Sequence, residues 1–382
     1  MLMIEVAFWI CLSLIAYAYA GYPLTVWVAA RLFGGLPTRP RLDAAEFPFV
    51  SILIAAHNEE AVIAERLRNA LAVDYPADRL EVVVASDGST DRTTEIVGAC
   101  VDPRVRLLHS PLRRGKARVL NAALKALRGE IVLLTDANTF IESNALRQIV
   151  PWFADSATGV VCGRLVLTDG ASGANSDGLY WRYETFMKEC EGRLGALLGA
   201  NGAIYAIRRS EFSGINGGTI VDDLVIPLVM HLRTGCRIVY DPSAVAREET
   251  APSLTTEFRR RARIGAGGFH SLSLVGGIAL PRHGWLAFSF ISHKLLRWLC
   301  PFWMLGALAT NAMLADDPFY RLLLAVQLLG YGLSALGWHH RTHGWRVVRL
   351  STMFTTMNAA LLVGFWMWAS GTQTGIWQRT AR

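Results

Sequence analysis

Residues 50–60 read Val-Ser-Ile-Leu-Ile-Ala-Ala-His-Asn-Glu-Glu. The run 50–55 is apolar, rich in strand formers and too short for a helix. Residues 60–71 then place Val62, Ile63, Leu67 and Leu71 on one helical face, so the spacing predicts a strand followed by a helix. Pro76 and Asp78 break the chain before a second strand at 81–85, Glu-Val-Val-Val-Ala. A helix at 91–99, a strand at 105–109, a helix at 117–128 closed by Gly129 and a fourth strand at 131–135 continue the pattern. Strands alternating with helices predict an α/β fold built on a parallel sheet.

Ligands of such sheets bind beyond the carboxyl ends of the strands. The first strand ends at His57-Asn58-Glu59, the second at Ser86-Asp87-Gly88-Ser89 and the fourth at Asp136-Ala137-Asn138. Each cluster alone is ordinary, because Asp-Gly-Ser makes turns and an acidic residue after a strand often caps the next helix. Together, on one edge of one sheet, they predict a binding crevice. Gly115-Lys116 adds a cation at a loop-to-helix junction suited to a phosphate, with a solvated surface lysine as the plain alternative. No G-x-x-x-x-G-K-[ST] loop occurs, and Gly265-Ala266-Gly267-Gly268 follows no strand. Asp87 to Asp91 lacks the ligand spacing of a calcium loop. A kinase-like ATPase, a dehydrogenase and a calcium sensor are all demoted.

The 382 residues are 52% hydrophobic and 18% charged, against about 25% charged in a soluble domain. Mean hydropathy is +0.30, and the shortage of charge is concentrated at the two ends. A net charge of +7 raises nucleic-acid binding, but no zinc-finger, basic-zipper or RNA-recognition signature is present, so no nucleic-acid partner is expected. Arg31, Arg39, Arg41, Arg297, Arg341, Arg346 and Arg349 flank apolar stretches instead, as on a cytoplasmic membrane face. The six cysteines are scattered, which predicts reduced thiols and neither a disulfide framework nor a zinc site.

Val6 to Ala30 carries no charge and reads as an uncleaved anchor, although Ala18-Tyr19-Ala20 imitates a signal-peptide cleavage site. Further apolar segments cover roughly 295–315, 319–338 and 350–371. The positive-inside rule puts the arginine-bearing stretch after the first helix and the loop 339–349 in the cytoplasm, with Arg379 and Arg382 outside. One N-terminal and about three C-terminal transmembrane helices are therefore expected, in a multi-pass protein of the cell (inner) membrane whose middle domain is cytoplasmic.

The ordered motifs are Ala-Ala-His-Asn-Glu-Glu (55–60), Ser-Asp-Gly-Ser-Thr-Asp (86–91), Gly-Lys-Ala-Arg-Val-Leu-Asn (115–121) and Thr-Asp-Ala-Asn (135–138). They continue with Gly-Ala-Asn-Gly-Ala-Ile-Tyr-Ala-Ile-Arg-Arg (199–209), Val-Asp-Asp (221–223) and Arg-Arg-Ala-Arg (260–263). This set, over about 48–270, resembles family-2 glycosyltransferases with a GT-A fold, and the membrane layout is similar to their polysaccharide-synthase branch. The resemblance implies a GT-A-type nucleotide-sugar-binding domain with a mostly parallel sheet at 48–253. Around it lie an N-terminal transmembrane helix (1–32), a cytoplasmic linker (33–47), interfacial amphipathic helices (254–290) and a C-terminal transmembrane region (291–382).

Carried over by position, the resemblance implies that Asp87 holds the nucleobase or ribose, with Glu59 and Lys116 beside the nucleotide. Asp136 and Asn138 stand where the family has its metal-binding Asp-x-Asp, implying Mg²⁺ or Mn²⁺ on the donor's diphosphate. Asn138 is a departure, since its amide oxygen brings no charge. Asp223 matches the catalytic base, which a weakly nucleophilic sugar hydroxyl needs. Asn201 and Asp222 fall among the acceptor-binding positions, while Arg260 and Arg263 match the Gln-x-x-Arg-Trp motif that meets the diphosphate. Gln is replaced there by Arg260 and Trp by Ile264, which weakens the case for long-chain synthesis.

The leading expectation is an inverting transferase moving a sugar from a nucleotide sugar, UDP-linked, to a glycan acceptor in exopolysaccharide or cell-surface polysaccharide assembly. A single transfer to a lipid acceptor is the alternative, and a non-catalytic membrane scaffold a weaker one. Membrane lipids are expected partners in every case, and a homo-oligomer or polysaccharide-export proteins fit the first reading.

Overall fold

The computed structural model describes residues 1–35, 38–43, 46–168, 178–249, 254–337, 345–373 and 375. Most of the polar loop expected at 339–349 lies outside the described residues, as do Arg379 and Arg382. The chain divides into two compact units. One comprises residues 1–25, 253–270 and 290–373, the other 26–252, 271–289 and 374–382.

The second unit is organised by one eight-stranded sheet. Its strands are β1 (Val50–Ala56), β2 (Leu80–Asp87), β3 (Val105–Ser110), β4 (Ile131–Asp136), β5 (Phe140–Ile141), β6 (Thr158–Thr168), β7 (Tyr205–Arg208) and β8 (Arg237–Glu249). Their spatial order is β3-β2-β1-β4-β7-β6-β8-β5. Strands β3, β2, β1 and β4 pair in parallel, as the alternating pattern predicts. Strand β7 is antiparallel to β4 and β6, while β6 pairs parallel with β8 and β5 antiparallel to β8. The sheet is therefore mixed, with its parallel half read correctly and its far half unread.

Register explains why the polar clusters converge. Ala55 of β1 lies opposite Ala85 of β2 and Asp136 of β4, so the three strands leave the sheet at the same level. All of β1 and β2 is buried, as expected for strands covered on both faces. Helix Ile63–Leu71 covers one side through Ile63, Leu67 and Ala70. Gly129 is not a helix stop: helix Lys116–Ala126 has already ended. A Cβ at Gly129 would lie 2.5 Å from the Ser51 amide nitrogen, so glycine is required for close approach to β1.

At the opposite end of the strands Glu81, wholly buried, accepts from Ser51 Oγ at 2.6 Å, the Arg128 amide at 2.7 Å and Arg106 at 2.8 Å. Burial alone would raise its carboxyl, but these donors together hold it below the ordinary value. A lowered carboxyl contributes stability above the unfolded value that is lost as pH falls through the folded one. Glu81→Gln is expected to lower unfolding free energy by about 1–3 kcal/mol at neutral pH. In denaturation series, that difference should shrink below pH 4.5.

The first unit is helical. A continuous helix, Leu2–Leu32, begins in it and runs on into the second unit. It widens into a π-type turn at Tyr17–Gly21, where Pro23 cannot donate to the carbonyl four residues back. Within this unit Phe8 packs with Ala307 and Leu314, and Tyr19 donates to Asn358 Oδ1 at 3.1 Å. Among the described residues three helices are long and apolar enough to cross a membrane: Leu2–Leu32, Pro318–Leu336 and Arg346–Ala369. On the second, Phe319, Leu322, Val326 and Leu329 form an exposed apolar stripe, a face suited to lipid. The expected segment at 295–315 is helix Leu296–Met313, which is not among those three. The stretch 254–290 contains one long helix, Leu254–Val275, then short turns and helix Trp285–Ser289.

Candidate active site

The loops leaving β1 and β2 are fastened to each other by side chains. Asn58 sits in the left-handed region (φ 57°), and its Oδ1 accepts from the Thr90 amide at 2.8 Å. The Glu59 amide donates to Thr93 Oγ1 at 2.8 Å, and the Glu60 amide to Asp91 Oδ2 at 3.1 Å. His57 donates through Nδ1 to the Asp87 carbonyl at 2.7 Å. Asp87 itself is buried, and its carboxylate accepts the backbone amides of Arg114 (2.6 Å) and Gly115 (2.9 Å). Asp87 therefore fixes the turn that delivers Lys116, the first residue of its helix. Gly88 (φ 62°) permits this contact, because a Cβ there would lie 2.6 Å from the Arg113 nitrogen.

Lys116 is the hub of a charged cluster. Its Nζ lies 2.9 Å from Asp136 Oδ1 and 3.3 Å from Asp222 Oδ2, with the side chain 19% exposed. Burial alone would lower the ammonium, but Asp136, Asp222 and Asp223 together hold it above the ordinary lysine range. Asp222 is buried and also accepts from the Tyr205 hydroxyl at 3.4 Å. Its carboxyl is raised, first by burial and then by Asp223 and Asp136 against the opposing pull of Lys116. Both acidic residues occupy the first turn of helix Asp222–Thr234, where the helix dipole favours anions.

Helical geometry turns Asp223 away from Asp222, and Asp223 is only half-buried. Its Oδ2 lies 3.8 Å from the point where a Cβ of Gly202 would stand, and Asp136 Oδ2 lies 3.5 Å from the same point. The absent side chain of Gly202 thus leaves a gap faced by two carboxylates. Gly202→Leu should fill it and reduce turnover severely while leaving the fold intact, as circular dichroism would check.

The neighbouring polar residues are largely engaged in holding this arrangement. Asn138 donates its amide to Glu248 Oε1 at 3.1 Å, which leaves the amide oxygen as its acceptor. Asn201 donates to the Gly163 carbonyl at 2.9 Å, and its oxygen accepts from Lys188 Nζ. Lys188 also donates to the Ala200 carbonyl at 3.2 Å, and the Ala200 amide donates to the Asp223 carbonyl at 2.8 Å. Lys188, Tyr205, Gly202 and Arg66 were not singled out by sequence reasoning. Arg66 had a signal: it falls in the 63, 66, 67, 70 stripe, a core position for a guanidinium. It is wholly buried and donates to Thr135 Oγ1 at 3.2 Å and the Asp136 carbonyl at 3.4 Å.

Arg260 and Arg263 lie on helix Leu254–Val275, in the part belonging to the helical unit. Arg260 donates to Glu257 on the same helix at 2.9 Å. Among the described residues no group of three or more His, Cys, Asp and Glu is placed to hold a metal by itself. Asp136 offers a hard oxygen donor beside the gap, and Asn138, two residues on, carries a second in its amide oxygen.

Residues 51–212 match the family described as Glycosyl transferase family 2. Over 313 residues the chain is 28% identical to a beta-monoglucosyldiacylglycerol synthase of Synechocystis sp., covering 78% of this chain and 64% of that protein. It is 25% identical over 244 residues to a poly-beta-1,6-N-acetyl-D-glucosamine synthase of Staphylococcus aureus, covering 62% of this chain and 58% of that one. The chain thus spans less than two thirds of the length of each. Among solved structures, a mannosyltransferase from Pyrobaculum calidifontis in complex with GDP-Man and Mn²⁺ superposes with a TM-score of 0.73 at 25% identity. That match covers 96% of this chain and all of the other, and the α/β domain has the GT-A fold.

Proposed function

We propose that the chain is a glycosyltransferase, its residues 51–212 matching family 2, and that it moves one sugar from a nucleoside-diphosphate sugar to a lipid hydroxyl presented by the membrane. The observation that carries the chemistry is the Gly202 gap, faced by Asp136 and Asp223, with Lys116 paired to both Asp136 and Asp222. Asp223 accepts the proton as the acceptor oxygen attacks the anomeric carbon. The bond from that carbon to the diphosphate oxygen breaks, the nucleoside diphosphate leaves, and the anomeric centre inverts. Lys116, held charged by its carboxylates, faces the diphosphate. Glu59 and Asp87 form the nucleoside end, with Asp87 acting through the 112–116 turn. Asp222 and Asn201 act as positioning residues, the first for Lys116 and the second for the 199–204 loop.

The site fits a divalent cation, Mg²⁺ or Mn²⁺. One carboxylate and one amide oxygen, from Asp136 and Asn138, are too few for an all-protein cage but suit an ion completed by phosphate and water. When bound, such an ion supplies positive charge to the leaving diphosphate. Asp136→Ala is expected to abolish the metal dependence of nucleotide binding. An unchanged Mn²⁺ titration in calorimetry would count against Asp136 as the ligand.

The lipid acceptor is supported by the similarity to a monoglucosyldiacylglycerol synthase and by Ile264, which removes an aromatic platform for a growing sugar chain. Elongation of a glycan is the second reading, favoured by the similarity to a poly-N-acetylglucosamine synthase. In either case we place the catalytic domain on the cytoplasmic side, from the arginines at Arg31, Arg346 and Arg349. The test is a donor screen with UDP- and GDP-sugars on protein in lipid nanodiscs, following nucleoside diphosphate release. Products that carry several sugars would favour the second reading.

A further inference from the structure

A second cavity, of about 610 Å³, lies wholly within the α/β unit and takes no part in the chemistry above. Its walls include Trp27, Trp152, Phe186 and Tyr240, with Arg31 and Arg193 among them. Trp27 and Arg31 belong to the last two turns of helix Leu2–Leu32, one of the three helices able to span a membrane. Tryptophan and arginine at the end of such a helix mark the level of lipid headgroups. The cavity therefore lies at the headgroup end of a helix able to span a bilayer.

Its charges are unequally satisfied. Asp241 is buried and already accepts from Trp152 Nε1 at 2.7 Å and from Arg39 at 3.3 Å, so its charge is spent. Arg31 stands over the Trp27 ring at 5.1 Å, and exposed Glu189 is the remaining acidic residue of the wall. Arg193 is half-buried, and its Nε is buried with no hydrogen-bond partner among the described residues. A buried guanidinium N–H without an acceptor is costly, and a phosphate oxygen is its natural complement.

We propose that this cavity binds an anionic phospholipid, its phosphate on Arg193 and Arg31 and the start of its acyl chains against Trp27 and Phe186. The volume lies inside the range of about 300–1,000 Å³ typical of small-molecule sites. The site does not depend on the acceptor assigned above. Its wall helix, Leu179–Arg193, carries Phe186, Glu189 and Arg193 into the cavity and Lys188 onto Asn201 beside the active-site gap.

The test uses the full chain in detergent, titrated with phosphatidylglycerol, with diacylglycerol, and with inorganic phosphate, and read by native mass spectrometry. One tightly retained phosphatidylglycerol is expected, with at least about tenfold weaker retention in Arg193→Gln and in Arg31→Gln. Phe186→Ala should weaken lipid without affecting phosphate. Arg237→Gln removes an exposed arginine paired with Asp155 outside the cavity and should leave retention unchanged. Equal retention in all four variants would overturn the proposal. So would diacylglycerol binding as tightly as phosphatidylglycerol, or inorganic phosphate binding as tightly as the lipid.

Discussion

Asp223→Asn should lower kcat by about 10²–10⁴-fold, the usual span of a general base, while leaving nucleotide affinity within about twofold. Asparagine keeps the size of the side chain but accepts no proton from the attacking hydroxyl. The backbone contact from Asp223 to the Ala200 amide survives, so the 199–204 loop keeps its place. Asp222→Asn is the informative partner, because that carboxylate is buried on Lys116 and Tyr205. It should change nucleotide affinity and stability more than Asp223→Asn does, and turnover less. Loss of nucleotide binding in Asp223→Asn would contradict its assignment as the base.

Lys116→Met should be the most damaging single change for stability and turnover together. It strands Asp222 in the interior and leaves Asp136 uncompensated. Breaking a fully buried pair costs about 3–5 kcal/mol, and Asp136 is 36% exposed, so about 2–4 kcal/mol is expected here. Adding Asp222→Asn should recover part of the stability and none of the activity, a coupling that a double-mutant cycle measures. The pH dependence has a definite sign. A lysine held above its ordinary value contributes stability that is complete below 10.5 and is lost only as pH rises through the folded value. The Tm difference between Lys116→Met and the parent should thus stay level from about pH 6 to pH 9.

The parallel half of the sheet was legible because each strand is a short apolar run ending in polar residues, and parallel register brings those ends to one level. Asp87 and Asp136 could be placed at a common edge on that ground alone, whereas Lys116, at a loop-to-helix junction, could equally have been a solvated surface lysine. What periodicity does not encode is the partner of a side chain. Asn138 finds Glu248 across 110 residues, and strands β6 and β8 meet through pairing that no local pattern announces. Neighbouring Asp222 and Asp223 could be expected to point apart on a helix, but only the fold shows that Asp222 faces Lys116. Gly129 and Gly202 look alike as turn residues in the sequence. One is needed for close approach to a strand, and the other leaves the space between two carboxylates. The candidate membrane spans were read from the absence of charge, which locates an apolar helix without its packing partners.

The most direct test is the anomeric configuration and size of the product formed in nanodiscs from the active donor and native membrane lipids. Mass spectrometry should find a single sugar on a lipid, and proton NMR an anomeric configuration opposite to that of the donor, both lost in Asp223→Asn. A retained configuration would contradict direct displacement with Asp223 as the base, and a ladder of sugars would contradict transfer of one sugar to a lipid.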